Sequence, residues 1–279
     1  MRSLKTNIGT KVKQTLGIQP NSVGRKLTVF SDDIFLVSYP KSGNTWIRFL
    51  IGNLLYPEVD ITFANVQNII PDIYLASNRE LLQISRPRIL KSHEYFDPRY
   101  KKVILITRDP RDVTLSAYFH SIKYGLITKT TSLEEFSQGF LSNHYHFVRQ
   151  SNPLGSWGEN TGSWLGAMEG KDHNNFLLLR YEDFQTDITM QLAKIAKFMN
   201  LDCLESDINL AVEKSSFKRM RELERIQQDV WPNKYTRHNI AFVREAVSGQ
   251  GSLKLPQSAI QQIESLWGNT MKKLGYLEN

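Results

Sequence analysis

Short apolar runs alternate along the chain with longer stretches of helical periodicity. Ile34-Phe35-Leu36-Val37 is the first compact run, closed by Tyr39-Pro40. Arg88-Ile89-Leu90-Lys91, Lys102-Val103-Ile104-Leu105-Ile106-Thr107 and Phe176-Leu177-Leu178-Leu179-Arg180-Tyr181 are of the same type. Runs that are apolar at consecutive positions suit strands covered on both faces of a sheet. Between them the apolar spacing predicts helices over about Trp46 to Tyr56, Pro110 to Tyr124, Thr186 to Met199 and Ser258 to Leu274. In the third of these, Ile188, Leu192, Ile195, Ala196 and Met199 share one face. Strands alternating with helices predict an α/β fold, a single three-layer domain with a mostly parallel central sheet. No repeat or low-complexity linker interrupts residues 33–279, so residues 27–279 are expected to form one domain. In such sheets ligands bind outside the carboxyl ends of the strands. The loops after the strands are therefore where chemistry is sought.

The first such loop is Tyr39-Pro-Lys-Ser-Gly-Asn-Thr-Trp46. It offers one cation (Lys41), two hydroxyls (Ser42, Thr45), an amide (Asn44) and a flexible Gly43 just before a helix. Backbone N–H groups at a helix N-terminus attract anions, and Lys41 adds a full charge. The plain alternative is a polar turn with a Ser or Thr cap. The loop is not a Walker A motif, because Lys precedes Gly and no glycine lies just upstream. A second loop, Lys91-Ser92-His93, follows the next strand. Residues two apart on an extended segment point the same way, so the ammonium can face an anion while the imidazole takes a proton from an acceptor. The third segment runs from Arg108 to Ser116. Asp109 and Pro110 suit a helix start, Arg108 is a forked phosphate ligand, and the Ser116 hydroxyl is a second donor.

Charge adds little to this picture. The chain carries 35 basic and 28 acidic residues, a net of +7. Residues 1–26 hold six of the basic residues and no acidic one, so 29 basic face 28 acidic in the remainder, a net of +1. That argues against a nucleic-acid partner. The basic segment, with Leu4, Ile8, Val12 and Leu16 four apart, reads either as a loosely docked terminal helix or as one that touches an anionic membrane surface. Cys203 is the only cysteine, which excludes an intrachain disulfide and a cysteine-based zinc site. No apolar run reaches the roughly 18–20 residues of a membrane span, and no signal-peptide pattern opens the chain. A cytoplasmic setting is the default expectation.

Taken together, the three loops resemble those of sulfotransferases that use 3′-phosphoadenosine 5′-phosphosulfate (PAPS). The first loop resembles the family's Tyr-Pro-Lys-Ser-Gly-Thr-Thr-Trp, with Asn44 in place of a Thr. Arg108 to Ser116 resembles its 3′-phosphate segment, and Lys91-Ser92-His93 its Lys-Thr-His. Gly155-Ser156-Trp157 with Trp164, Tyr181-Glu182-Asp183 and Ser215-Ser216-Phe217 resemble further family segments, in the same order. The resemblance implies a fold like that of P-loop nucleotide kinases, and sulfuryl transfer from PAPS to a hydroxyl or amine without a metal. It implies His93 as general base, Lys41 at the bridging oxygen and Lys91 at the transferring sulfuryl oxygens. Ser42, Gly43, Asn44 and Thr45 would hold the 5′-phosphate. Arg108, Ser116 and Arg244 would hold the 3′-phosphate. Trp46 and Phe217 would enclose the adenine, with Tyr181 at its edge and Ser215 in the same pocket.

Two departures stand out. Where the cytosolic branch has Phe-Met-Arg-Lys-Gly-x-x-Gly-Asp-Trp, this chain has Phe242-Val-Arg-Glu-Ala-Val-Ser-Gly-Gln-Gly251, so Glu245 and Ala246 replace Lys-Gly. The family's C-terminal dimer motif is not visible, and the oligomeric state stays open. Phe119, His120, Tyr124, Tyr145, His146, Trp157, Trp231 and Tyr235 fall where an acceptor pocket is expected; they either line it or form core. The acceptor is expected to be a small molecule or glycan bearing a hydroxyl. The competing readings are a small-molecule P-loop kinase, a non-catalytic family member that binds the nucleotide, and a basic binding module driven by residues 1–26.

Overall fold

Four parallel strands form the centre of the computed structural model, which describes residues 26–142, 154–169, 173–227, 239–243 and 247–278. They are β1 (Ile34–Ser38), β2 (Ile89–Ser92), β3 (Lys102–Thr107) and β4 (Phe176–Arg180), in the order β2-β1-β3-β4. The apolar runs found in the sequence are these strands. Alternation along β1 divides the core in two. Ile34 and Leu36 pack with Ile47, Leu50, Leu192 and Ile195 on one side. Phe35 and Val37 pack with Tyr74, Tyr100 and Trp164 on the other.

Ten helices surround the sheet among the described residues, apart from single turns. They are α1 (Asn44–Leu55), α2 (Pro110–Lys123), α3 (Leu133–Leu141), α4 (Trp157–Met168), α5 (Tyr181–Thr186), α6 (Ile188–Phe198), α7 (Glu205–Lys214), α8 (Phe217–Ile226), α9 (Gln250–Lys254) and α10 (Gln257–Lys273). The expected helices are present as α1, α2, α6 and α10, shifted by one or two residues at their ends. Asp109 caps α2 by accepting from the Arg111 N–H at 2.8 Å, with Pro110 in the first turn, as read from the sequence. One boundary differs. The fourth strand stops at Arg180, and Tyr181 opens α5, whose first turn carries Glu182 and Asp183. Acidic residues at that end favour helix over a longer strand.

The strand order reverses at β1. The chain leaves β1 through α1 to reach β2 on one side, then crosses to β3 on the other. Val37 pairs with both Ser92 and Leu105, which levels the carboxyl ends of the three strands. The loops beginning at Tyr39, His93 and Arg108 thus open on one edge, at the switch point where such sheets bind ligands. Beyond β2, Asp72 bridges Lys91 in a short parallel extension. The Lys91 N–H donates to the Pro71 carbonyl at 2.8 Å, and the Ile73 N–H donates to that of Lys91 at 3.1 Å. Arg48, buried on α1, holds this segment by donating to the Val66 carbonyl and the Gln67 Oε1 at 3.2 and 3.1 Å.

Candidate active site

The loop after β1 is shaped by two left-handed residues, Lys41 (φ 72°) and Gly43 (φ 91°). A Cβ on Gly43 would lie 2.4 Å from Cδ2 of Tyr181, so only glycine lets the backbone pass that ring. Gly43 is the N-cap of α1, and no side chain caps this helix start. Its first N–H groups are therefore open to an anion. Ser42 Oγ and Asn44 Oδ1 are buried without a hydrogen-bond partner among the described residues. Asn44 Nδ2 donates to Ser38 Oγ at 3.1 Å, which ties the loop back to the end of β1. Thr45 and Trp46 are half-buried. An uncapped helix start beside the unpartnered Ser42 hydroxyl suits a phosphate-bearing ligand, whose oxygens would accept from those N–H and O–H groups.

Lys41 donates from Nζ to His120 Nδ1 at 3.1 Å, and its ammonium lies 4.9 Å from the centre of the Phe242 ring. An ammonium has no acceptor, so His120 accepts at Nδ1 and is the neutral tautomer protonated at Nε2. Burial first, then the charges of Lys41 and Lys123, hold its pKa well below the ordinary histidine value. Arg108 directly follows β3 and lies over Tyr181, with 4.2 Å from guanidinium carbon to ring centre. Its Nη1 donates to the Lys41 carbonyl at 3.4 Å, Nη2 lies 3.6 Å from Asp112 Oδ2, and Nε has no partner among the described residues. Ser116 lies half-buried two turns along the same helix. Tyr181 thus sits against both Gly43 and Arg108, with Trp46 edge-on at 5.7 Å. Trp46 Nε1 donates to the Ser215 carbonyl at 3.0 Å. Ser215 Oγ is taken by Asn53 Nδ2 at 3.0 Å. Phe217 opens α8 nearby, with Arg221 over its ring at 5.3 Å. Arg244, the other residue expected at the 3′-phosphate, lies outside the described residues, as do Glu245 and Ala246.

His93 stands just past β2, buried. Its Nδ1 is 2.6 Å from the Ser38 carbonyl. A carbonyl only accepts, so Nδ1 carries the proton and Nε2 keeps its lone pair. The His93 N–H donates to the Tyr74 hydroxyl at 3.2 Å, and Asn160 Nδ2 donates to its carbonyl at 3.0 Å. Burial first, then the charge of Lys91, push its pKa down to about 3. Lys91 and His93 both lie against Tyr74: the ammonium is 5.6 Å from its ring centre, and the imidazole stacks on the same ring at 6.2 Å. Lys91 Nζ is also bonded to Asp72 Oδ2 in a buried ion pair. Burial works to raise the Asp72 pKa, but Lys91 and then His93 outweigh it, and the carboxylate is held below its ordinary value. Burial also pushes Lys91 down, with Asp72 offsetting part of the shift.

Of the aromatic residues expected near an acceptor, Trp157 is core, packed 5.6 Å from Trp267. His120 and Tyr124 lie together, with ring centres 4.5 Å apart. Tyr145, His146, Trp231 and Tyr235 lie outside the described residues. Asp72, Tyr74 and the pairing of His120 with Lys41 are the parts of the site that the sequence reading missed. Asp72 carries no motif around it. His120 was noted only as an aromatic position on α2, although three-to-four spacing from Ser116 places both on one helix face.

The comparisons with known proteins give the family. The sequence model of the family described as "Sulfotransferase domain" matches residues 31–275. The chain belongs to this sulfotransferase family, and its members are enzymes. It is 28% identical to the 3-beta-hydroxysteroid sulfotransferase of Cavia porcellus over 257 residues, 88% of this chain and 86% of the other. It is 31% identical to Sulfotransferase 2A2 of Rattus norvegicus over 210 residues, 71% and 70% of the two chains. Among solved structures it is similar to mouse sulfotransferase SULT7A1 complexed with PAP, with a TM-score of 0.69 at 23% identity, covering 90% of this chain and 87% of that one. It is also similar to retinol dehydratase in complex with androsterone and the inactive cofactor PAP, with a TM-score of 0.71 at 18% identity over 88% and 82% of the chains. Both share its single α/β domain of the P-loop kinase type.

Proposed function

We propose that this chain transfers a sulfuryl group from PAPS to the hydroxyl of a small-molecule acceptor, with His93 as general base. One observation carries the reading. His93 is held as the Nδ1–H tautomer by the last residue of β1, directly beside the uncapped, lysine-bearing loop that follows the same strand. A proton acceptor and an anion cradle are thereby fixed on adjacent strand ends. The acceptor O–H proton passes to His93 Nε2 as the acceptor oxygen bonds to sulfur and the bond from sulfur to the 5′-phosphate oxygen breaks. PAPS supplies the activated sulfuryl group, and adenosine 3′,5′-bisphosphate (PAP) leaves.

The residues act by position and charge. The N–H groups opening α1, with Ser42, Asn44 and Thr45, hold the 5′-phosphate. Lys41 meets the charge that develops on the bridging oxygen. Arg108 and Ser116, with Arg244, hold the 3′-phosphate. Trp46 and Phe217 enclose the adenine, with Tyr181 at its edge and Ser215 holding the Trp46 indole through its carbonyl. A base with a pKa of about 3 is always free of its proton near neutrality, yet it is a weak acceptor. A bound anionic group beside Lys41 offsets the lysine charges facing His93 and raises its basicity in the loaded site. Lys91 adds its charge near His93 while paired with Asp72. The hydroxysteroid names of the relatives make hydroxyl-bearing lipids the first acceptors to screen.

Thermal-shift titrations with PAP, ADP and ATP, each with and without magnesium, test the nucleotide reading. PAP is expected to stabilise the chain in magnesium-free buffer by more than ADP or ATP does. Stabilisation by ATP alone, and only with magnesium, would point to a kinase.

A further inference from the structure

The turn that follows Glu245 and Ala246, where the chain departs from the family pattern, is built into the donor end of the site. Its backbone lies directly on the first turn of α2. The Gly249 and Gly251 N–H groups donate to the two carboxylate oxygens of Asp112 at 2.8 and 2.6 Å. Gly249 is left-handed (φ 79°), and a Cβ on Gly251 would meet the Arg111 carbonyl carbon at 2.2 Å. No other residue permits that approach without moving the backbone. The family pattern has Trp where this chain has Gly251, so this close seating belongs to this chain.

The groups that hold the turn also hold two candidate nucleotide residues. Asp112 is buried, with its side chain 2% exposed, and its Oδ2 lies 3.6 Å from Arg108 Nη2. On the other side, Gln185 Oε1 accepts from both the N–H and the hydroxyl of Ser248, the former at 2.9 Å. Gln185 is also hydrogen-bonded to the Tyr181 side chain, one helical turn away. Arg108, lying over the Tyr181 ring, closes the circuit. The contacts thus run in a ring: Asp112, Arg108, Tyr181, Gln185, Ser248, Gly249 and back to Asp112.

The geometry points to Asp112 and Gln185 as positioning residues that set Arg108 for the 3′-phosphate by locking the 247–251 turn against α2 and α5. The inference rests on the PAPS reading above, since it assigns Arg108 to that phosphate. By charge alone Asp112 works against the role: a carboxylate beside the guanidinium repels a phosphate. Its use is geometric. It accepts two backbone donors and lies in ion-pair reach of the guanidinium, so Arg108 stays over the Tyr181 ring with Nη1 on the Lys41 carbonyl.

This opposition makes the test decisive. Calorimetric titration of the full chain, wild type, Asp112→Asn and Gln185→Ala, is carried out with PAP and with adenosine 5′-phosphate, which lacks the 3′-phosphate. Removal of the Asp112 charge would tighten PAP if electrostatics ruled. The positioning role predicts the reverse: PAP weakens by at least about tenfold in Asp112→Asn, and adenosine 5′-phosphate by less than about threefold. Gln185→Ala cuts the ring without touching Asp112, and the PAP loss is again expected to exceed the adenosine 5′-phosphate loss by about threefold or more. Unchanged or tighter PAP binding in both variants, or equal losses for both nucleotides, would overturn the inference while leaving the PAPS reading intact. A wild-type chain that does not prefer PAP over adenosine 5′-phosphate would overturn both. Should Asp112→Asn fail to fold, Gln185→Ala alone decides by the same ratio.

Discussion

His93 is buried and His120 half-buried; both imidazoles are held neutral, and each has a pKa depressed first by desolvation and then by lysine charge. An unfolded imidazole titrates near 6.5. Below that value and above the depressed folded one, the unfolded chain binds more protons. Stability is therefore full above about pH 6.5 and falls as the pH drops. For His93, at about 3 in the folded chain, acidification from pH 7 to 5 costs about 2 kcal/mol. Denaturant unfolding of wild type and His93→Asn at the two pH values measures this: the variant should lose about 2 kcal/mol less, and an equal loss in both would refute the neutral buried ring. Gly43→Ala places a methyl 2.4 Å from the Tyr181 ring carbon at a left-handed position. It should weaken PAP by at least about tenfold through displacement of Tyr181 and Arg108. PAP titration of that variant at wild-type affinity would contradict the close packing of loop and ring. The loop residues were legible because they are contiguous in sequence. Asp72 with Lys91 and His120 with Lys41 were not, because those partners lie 19 and 79 positions apart and meet only through the sheet.

At the scale of elements, β1 depends on a pair that no periodicity reveals. Asp33 and Arg88 are fully buried and bidentate, with Nε to Oδ1 at 2.8 Å. Arg88 also donates to the Thr28 and Leu81 carbonyls at 2.9 and 3.1 Å. They join the starts of β1 and β2, where the Ile34 N–H donates to the Arg88 carbonyl at 2.8 Å. Removal of one partner leaves a buried charge without compensation, so Asp33→Ala should cost about 3–5 kcal/mol of stability. A loss under about 1 kcal/mol in denaturant unfolding would show that the pair is dispensable. The strands were readable because apolar, β-branched runs mark buried parallel strands. Helices α3, α4, α7 and α8 were not assigned in advance. The starts of α3, α4 and α8 carry local signals all the same: Ser132, Ser156 and Ser216 accept from N–H groups three residues on, and Glu159 completes a capping box on α4. In α8 the charged residues outnumber the apolar ones, yet Phe217, Met220 and Leu223 recur every three residues on one face, and Met220 and Leu223 are core.

For the whole molecule, the fold places the loops after β1, β2 and β3 at one edge of the sheet. Among the described residues no helix is long and apolar enough to cross a membrane. A chain lacking residues 1–25 should bind PAP within about twofold of the full chain, because every group assigned to the nucleotide lies beyond Asp33; a tenfold loss would bring that segment into the site. The test closest to the central claim is acceptor-dependent conversion of PAPS to PAP by wild type and His93→Ala, over a panel of hydroxysteroids and phenols, with PAP binding verified for both. Wild type should convert PAPS only when a hydroxyl acceptor is present, and His93→Ala should be slower by at least about a hundredfold at unchanged PAP affinity. Equal rates in the two proteins would contradict the assignment of His93, and no acceptor-dependent conversion by wild type with any compound of the panel would contradict sulfuryl transfer to these acceptors.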